Sequence, residues 1–181
     1  AQTVSVTCKN CVAGQHQDQT GQTECKGSAC AKGTYLEQTG RAAEVVCKIC
    51  PEGQHQDQQG QTSCKDCQPG QYESFIGRSH CTRCIQGKFG TGIGSKSESS
   101  CENCPAGKYQ DETGQIACTL CASGQFKVEN GEGSCIECLA GQFQDQPGKA
   151  ACTPCVAGQH QDEEGRTECK GRPCEVGKFF A

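Results

Sequence analysis

The chain has 181 residues, 20 of them cysteine, and Leu, Ile, Val and Phe together supply only 23. That is too little apolar material for an ordinary core and enough cysteine for a disulfide scaffold. The net charge of −4 is spread with both signs scattered, which excludes a basic stripe for nucleic acid and a polybasic face for a membrane.

No apolar run approaches the roughly 18 residues of a bilayer span, so no membrane span is expected in this segment. Twenty thiols would be exposed and reactive in a reducing cytosol, so an extracellular location, secreted or at the cell surface, is expected. With neither an initiator Met nor a signal peptide, the chain reads as a processed or excised piece of a secreted protein.

A lead-in over residues 1–7 precedes tandem repeats that run from Cys8 to Cys174, and residues 175–181 start a further unit. The cysteines fall into ten pairs. Eight are Cys-x-x-Cys, whereas Cys25/Cys30 and Cys169/Cys174 are wider. Repeats are numbered here from the second cysteine of each pair, which is position 0. Repeats 1 to 9 then begin at Cys11, Cys30, Cys50, Cys67, Cys84, Cys104, Cys121, Cys138 and Cys155. From each second cysteine to the next first cysteine is 14 residues in seven repeats and 17 in the other two. The usual period is thus 17 residues.

Position 3 is always Gly, from Gly14 to Gly177, and position 5 is always a ring: His16, Tyr35, His55, Tyr72, Phe89, Tyr109, Phe126, Phe143, His160 and Phe179. Position 10 is Gly in every complete repeat, from Gly21 to Gly165. Asp18-Gln-Thr-Gly21, Asp57-Gln-Gln-Gly60, Asp111-Glu-Thr-Gly114 and Asp162-Glu-Glu-Gly165 carry the Asp and Gly preferred at the ends of a type I turn. Short segments flank the turn, such as Gln15-His16-Gln17 before it and Gln22-Thr23-Glu24 after it, so each repeat is expected to be a small β-hairpin. In Asp145-Gln-Pro147-Gly148 the proline falls where type I disfavours it, and that turn is expected to differ.

The 17-residue loops 30–47 and 84–101 each hold three extra residues, within Arg41-Ala-Ala-Glu-Val-Val46 and Ser95-Lys-Ser-Glu-Ser-Ser100. Tolerated surface loops are the ordinary reading and a contact surface the sharper one. Residues 8–30 and 152–174 align without a gap and share 16 of 23 positions. This suggests a 144-residue super-repeat, 8–151 restarting at 152, although two close copies of one repeat would look the same.

Spacing alone does not fix disulfide connectivity. The repeat suggests a ladder in which each second cysteine closes its loop with the next first cysteine: Cys11–Cys25, Cys30–Cys47, Cys50–Cys64, Cys67–Cys81, Cys84–Cys101, Cys104–Cys118, Cys121–Cys135, Cys138–Cys152 and Cys155–Cys169. Each such loop removes about 3 kcal/mol of unfolded-state freedom on a chain-entropy account. Cys8 and Cys174 are left over and would bond outside the piece or between copies. The competitor is an interleaved arrangement such as Cys47–Cys64 with Cys50–Cys67, which leaves no orphans but makes the repeats inequivalent.

Cys104-Pro-Ala-Gly-Lys-Tyr-Gln-Asp-Glu-Thr-Gly-Gln-Ile-Ala-Cys118 and the repeats like it resemble the ephrin-receptor-like cysteine-rich repeat, and also the first loop of tumour-necrosis-factor-receptor modules. The resemblance spans about residues 8–179. It implies a loop closed by its own flanking cysteines, which favours the ladder, and an elongated extracellular array. The fold expected is small, disulfide-rich and all-β: an elongated, solenoid-like tandem array of short hairpins, each touching mainly its neighbours, with no conventional hydrophobic core.

Other chemistry is weaker. Cys47, Cys50, Cys64 and Cys67 fit a zinc-ribbon spacing, but zinc modules rarely repeat with an invariant Gly-x-ring frame, and no metal or other cofactor is expected. A redox Cys-x-x-Cys wants a helix N-terminus, and no helical pattern is visible. His16, His55 and His160 occupy the ring slot, so packing explains them before ligation does. The repeated Asp offers one carboxylate per repeat, a turn role rather than a calcium site. No catalytic set stands out, and the protein is not expected to be an enzyme.

Two functions remain. The leading one is an extracellular structural protein, a stalk, surface coat or filament whose partners are copies of itself, end to end or lateral. The other is the ectodomain module of a receptor or adhesion protein that binds other extracellular proteins or glycans. A receptor should show one divergent patch, and the best candidate runs from Tyr72 to Phe89.

Overall fold

The computed structural model describes residues 8–41 and 43–171. Two compact units hold them, one drawn from 1–82 and 92–100, the other from 83–91 and 101–181. Both are tandem runs of two-stranded antiparallel hairpins with strands of two residues each, and the one helical turn among the described residues is the 3-10 turn Glu98–Ser100. The protein is a disulfide-rich β-hairpin array.

In each hairpin the first arm is positions 4 and 5. The return arm is the dipeptide between the cysteines of the next pair. Gln54–His55 opposes Lys65–Asp66, with Gln54 facing Asp66 and His55 facing Lys65. The same register joins Thr34–Tyr35 to Lys48–Ile49, Lys108–Tyr109 to Thr119–Leu120, and Gln142–Phe143 to Thr153–Pro154. In repeat 1 only His16 and Lys26 bridge. Gln22-Thr23-Glu24 is therefore not the return arm. The disulfide brings position 14 back beside position 0, with Cα atoms 5.8 Å apart for Cys50 and Cys64, so only residues beyond that cysteine run alongside the first arm. The ladder continues through Cys67 N–H, which donates to Gly53 C=O at 2.9 Å.

The hydrogen-bonded turn also lies elsewhere than expected. Position 4 donates to the carbonyl of position 1 in all nine repeats, as in Gln54 to Pro51 and Gln125 to Ala122. Position 3 is the glycine in between, with φ of 77° at Gly53 and 83° at Gly124, as the third residue of a type II turn requires. No hydrogen bond from Gly to Asp closes the Asp-x-x-Gly segments among the described residues. The position 10 amide reaches out of its own repeat instead. Gly148 follows Pro147 and still has φ of 74°, and its amide donates to Cys121 C=O at 2.8 Å like its counterparts. The proline is tolerated because no type I turn forms there.

Successive repeats are joined by backbone. At all eight junctions between described repeats the position 10 glycine donates to the previous second cysteine's carbonyl, from Gly40 to Cys11 through Gly165 to Cys138. At most junctions the position 3 amide also donates forward to the next position 6 carbonyl, as Gly33 does to Gln56. Contacts extend past the neighbour as well. A methyl group on Gly33 would lie 2.0 Å from Gly77 O, two repeats on, and one on Gly107 2.1 Å from Gly148 O. Only glycine allows the backbones to meet so closely.

The core is correspondingly unusual. Cys30, Cys50, Cys67, Cys84, Cys104, Cys121 and Cys138 are at most 1% exposed, while Ile49, Ile76, Leu120 and Ile136 stand largely in solvent. Cross-links and backbone replace apolar packing. Excess dithiol at neutral pH is therefore expected to abolish the cooperative melt and the dispersed amide spectrum together, whereas a strong chelator leaves both unchanged. Circular dichroism and NMR of the same sample check both arms.

Candidate functional site

Nine disulfides join each second cysteine to the next first cysteine: Cys11–Cys25, Cys30–Cys47, Cys50–Cys64, Cys67–Cys81, Cys84–Cys101, Cys104–Cys118, Cys121–Cys135, Cys138–Cys152 and Cys155–Cys169. Cys8 is a free, exposed thiol. Cys174 lies outside the described residues. The zinc-ribbon set Cys47, Cys50, Cys64 and Cys67 is thus divided among three different disulfides. His55, Cys67 and Cys81 bring their ligand atoms within 4.8 Å of one another, but both sulfurs belong to a single disulfide and offer no thiolate.

The ring slot is half-buried in repeats 1 to 8. His55 shows what it covers: its Nδ1 lies 3.3 Å from Cys81 Sγ, in the disulfide of the following repeat. His160 is exposed, and His16 Nδ1 is buried without a hydrogen-bond partner. His80, outside the frame, meets Ser79 Oγ at 3.1 Å.

The repeated Asp acts across the hairpin. Asp57 Oδ1 accepts from Lys65 Nζ at 2.7 Å and Asp162 from Lys170 at 2.6 Å, and Asp18 pairs with Lys26 in the same way. These are the three repeats whose ring is His. The lysine hydrogen bond holds each of these carboxyls below its ordinary value. The pairing then contributes only above the ordinary carboxyl midpoint, and it is lost as pH falls through the depressed one. Exposed pairs of this kind contribute little. Lys65→Thr, the residue found at that position in repeats 4, 6 and 8, is expected to return the Asp57 carboxyl to its ordinary midpoint in an NMR titration. The thermal midpoint should not move.

Position 6 is the site that sequence reasoning missed. Gln56 is 1% exposed; its Oε1 accepts from Gln58 N–H at 3.0 Å and its Nε2 donates to Ser63 C=O at 2.7 Å. Gln110, Gln144 and Gln161 make the same two bonds, to positions 8 and 13. The amide thus bridges the two sides of the loop just before the closing cysteine. Lys127 substitutes with Nζ bonds to Glu129 and Gly131 carbonyls, both 2.9 Å. Glu73 accepts from Phe75 N–H and lies 3.8 Å from Arg78 Nε. Position 6 lacks such a group only in repeats 2 and 5, where it is Leu36 and Gly90, and these are the two 17-residue loops.

The inserted segments are not wholly free surface. Gln17 N–H donates to Arg41 C=O and Glu73 N–H to Ser95 C=O, so each segment begins with a bond between repeats. Beyond it, Ser97 organises the 3-10 turn, accepting from Ser99 N–H at 3.2 Å and Ser100 Oγ at 2.7 Å. The candidate patch after Tyr72 presents Phe75 and Ile76, 62% and 61% exposed, with the Arg78 guanidinium 5.0 Å from the Phe75 ring.

No curated protein sequence matches the chain. The pattern described as tyrosine-protein kinase ephrin type A/B receptor-like matches five overlapping stretches, residues 39–77, 58–101, 90–131, 113–151 and 126–170. That pattern denotes an extracellular cysteine-rich repeat module rather than a catalytic one. With matches that run from residue 39 to residue 170 and nine disulfides in the same tandem frame, the chain belongs to the ephrin-receptor-like family of cysteine-rich repeats.

Proposed function

We propose that this chain is an extracellular structural array, part of a stalk, surface coat or filament in which copies associate with one another. The observation that carries this reading is the uniformity of the joints. One backbone hydrogen bond recurs at all eight junctions between described repeats, and the second cysteine is buried in repeats 1 to 8, while position 6 buries a polar side chain in most of the 14-residue loops. Rigidity of this kind resists heat and proteolysis, which is what a load-bearing surface element needs. Immunogold electron microscopy of the source tests it. Dense, regular labelling along a coat, wall or fibre is expected; sparse label scattered over a cell membrane would overturn it.

The second reading, a ligand-binding ectodomain, draws on Phe75 and Ile76. Two large apolar side chains side by side, flanked by an arginine, have the composition of a small binding hot spot. If it holds, the double change Phe75→Ala with Ile76→Asp abolishes capture of a protein or glycan ligand from the natural surroundings while the disulfide map stays intact.

A further inference from the structure

Asn130–Gly131 is the one Asn-Gly step in the sequence, and the fold places it at the joint between repeats 6 and 7. Gly131 is the position 10 glycine of repeat 7, with φ of 89°, and its amide donates to Cys104 C=O at 2.8 Å. Asn130 adds a bond of its own: its Oδ1 accepts from Ala106 N–H at 2.8 Å. At the joints on either side a position 2 side chain reaches across instead, Gln86 Nε2 to Asp111 C=O at 2.6 Å and Ser123 Oγ to Asp145 C=O at 3.2 Å. Position 2 of repeat 6 is alanine, so its backbone N–H makes the bond and an asparagine carboxamide receives it. Lys127 Nζ completes the hold by donating to the carbonyls of Glu129 and Gly131, on both sides of Asn130, each at 2.9 Å.

Asparagine followed by glycine is also the dipeptide whose main chain most readily attacks its own side chain, because glycine has no Cβ to obstruct the approach. For that reaction the Gly131 nitrogen must give up its proton and reach Asn130 Cγ. In the closed joint the proton is held on Cys104 C=O and the carboxamide on Ala106 N–H, so both reacting groups are engaged with repeat 6. Asn130 is nonetheless exposed, and water reaches it. We infer that Asn130–Gly131 is a self-modification site guarded by the joint, which loses its side-chain amide only when repeats 6 and 7 part.

Water is the only co-reactant. The Gly131 nitrogen forms a bond to Asn130 Cγ, the bond from Cγ to Nδ2 breaks, and ammonia leaves with the proton that the Gly131 amide gave up. Water then opens the cyclic imide at one of its two carbonyls. Cleavage at Cγ leaves an aspartyl residue, and cleavage at the main-chain carbonyl leaves an isoaspartyl residue, with one more carbon in the main chain between positions 9 and 10. In the isoaspartyl form the Gly131 amide no longer stands opposite Cys104 C=O, and the joint does not reclose as before. The disulfides take no part and stay intact. Repeats 6 and 8 have Thr113 and Pro147 at position 9, so their joints escape this chemistry. An opening at one joint is thus recorded permanently, whether the array serves as a coat or as an ectodomain.

The test incubates the full oxidised chain at mildly alkaline pH and follows Asn130 by peptide mass mapping, beside the same chain reduced and alkylated. Conversion is expected to be at least about tenfold slower in the oxidised chain, because it waits on local opening. Equal rates would overturn the guard, and an unconverted Asn130 in the reduced chain would overturn the site. Ala106→Pro removes the N–H that holds Asn130 Oδ1 and suits the turn, where proline is favoured as the second residue; repeat 4 already has Pro69 there. This variant should convert several-fold faster than wild type with the disulfide map unchanged, and a rate no faster than wild type would overturn the inference. In isoaspartyl material separated from the unconverted chain, the Gly131 amide should have lost its protection from hydrogen exchange. The amides of Gly114 and Gly148, which donate to the Cys84 and Cys121 carbonyls at 2.8 Å, should keep theirs. Retained protection at Gly131 would show the joint unbroken and overturn the permanent record.

Discussion

Gly124→Ala is expected to lower the thermal midpoint far more than Gly141→Ala, although both glycines hold position 3 and both have φ of 83°. The matched dihedral cancels the backbone term. Alanine in this left-handed region costs about 1–2 kcal/mol at either site. At Gly141 the new methyl meets nothing within 4 Å among the described residues, whereas at Gly124 it falls 2.0 Å from Gly165 O and 2.7 Å from Gly165 C. Backbone cannot rotate away as a side chain can, so repeats 7 and 9 must move apart, for about 1–3 kcal/mol more. The Gly165 amide, which donates to Cys138 C=O at 2.8 Å, should lose its protection from hydrogen exchange in Gly124→Ala and keep it in Gly141→Ala. Equal melting of the two variants would show that contact across two repeats carries no stability.

The glutamine staple gives the second large effect. Gln56→Leu keeps the volume and removes both bonds, leaving Gln58 N–H and Ser63 C=O without their partner inside the loop. A cost of about 2–3 kcal/mol is expected from two lost hydrogen bonds and their stranded groups. Gln58→Leu, at an exposed position two residues on, should change nothing measurable. Gln56→Glu is a sharper test, because a carboxylate accepts from Gln58 N–H but cannot donate to Ser63 C=O, and it sits where the side chain is 1% exposed. The array already contains a remedy in repeat 4, where Glu73 at position 6 lies near Arg78 at position 11. Position 11 of repeat 3 is Gln61. Adding Gln61→Arg to Gln56→Glu is therefore expected to recover most of the loss in thermal melts, and failure to recover it would separate the staple from its charge.

Which parts of this were legible beforehand follows from how each residue acts. The Gly, ring and cysteine slots stand out in sequence because few residues substitute for a positive φ or a cross-link. Position 6 does not stand out. Glutamine occurs 22 times in the chain, the buried copies look like the exposed ones, and Lys127 and Glu73 satisfy the same slot by different bonds. The correlation of Leu36 and Gly90 with the long loops was visible in the sequence, but it acquires meaning only once the amide is seen to span positions 8 and 13. Asp at position 7 misled for a physical reason: its turn preference is real, yet here the following glycine amide is claimed by the previous repeat. The type II turn at positions 1 to 4 was hidden because its only marker is the same glycine. Contact two repeats ahead has no sequence signature beyond small size.

The pattern of cross-links sets what tension would do to this chain. Each disulfide spans one loop and none interlocks with another, so a pull along the chain takes the shortcut through sulfur at every repeat. From Cys50 to Cys64 that shortcut is 5.8 Å between Cα atoms, and the three residues on to Cys67 reach about 10 Å when taut. A repeat stripped of every hydrogen bond would thus lengthen to about 16 Å, against about 58 Å for 17 residues drawn straight. More than two thirds of the polypeptide is slack that force never reaches. The array behaves as a leash whose length is fixed by chemistry rather than by folding, and only a reductant lets it out.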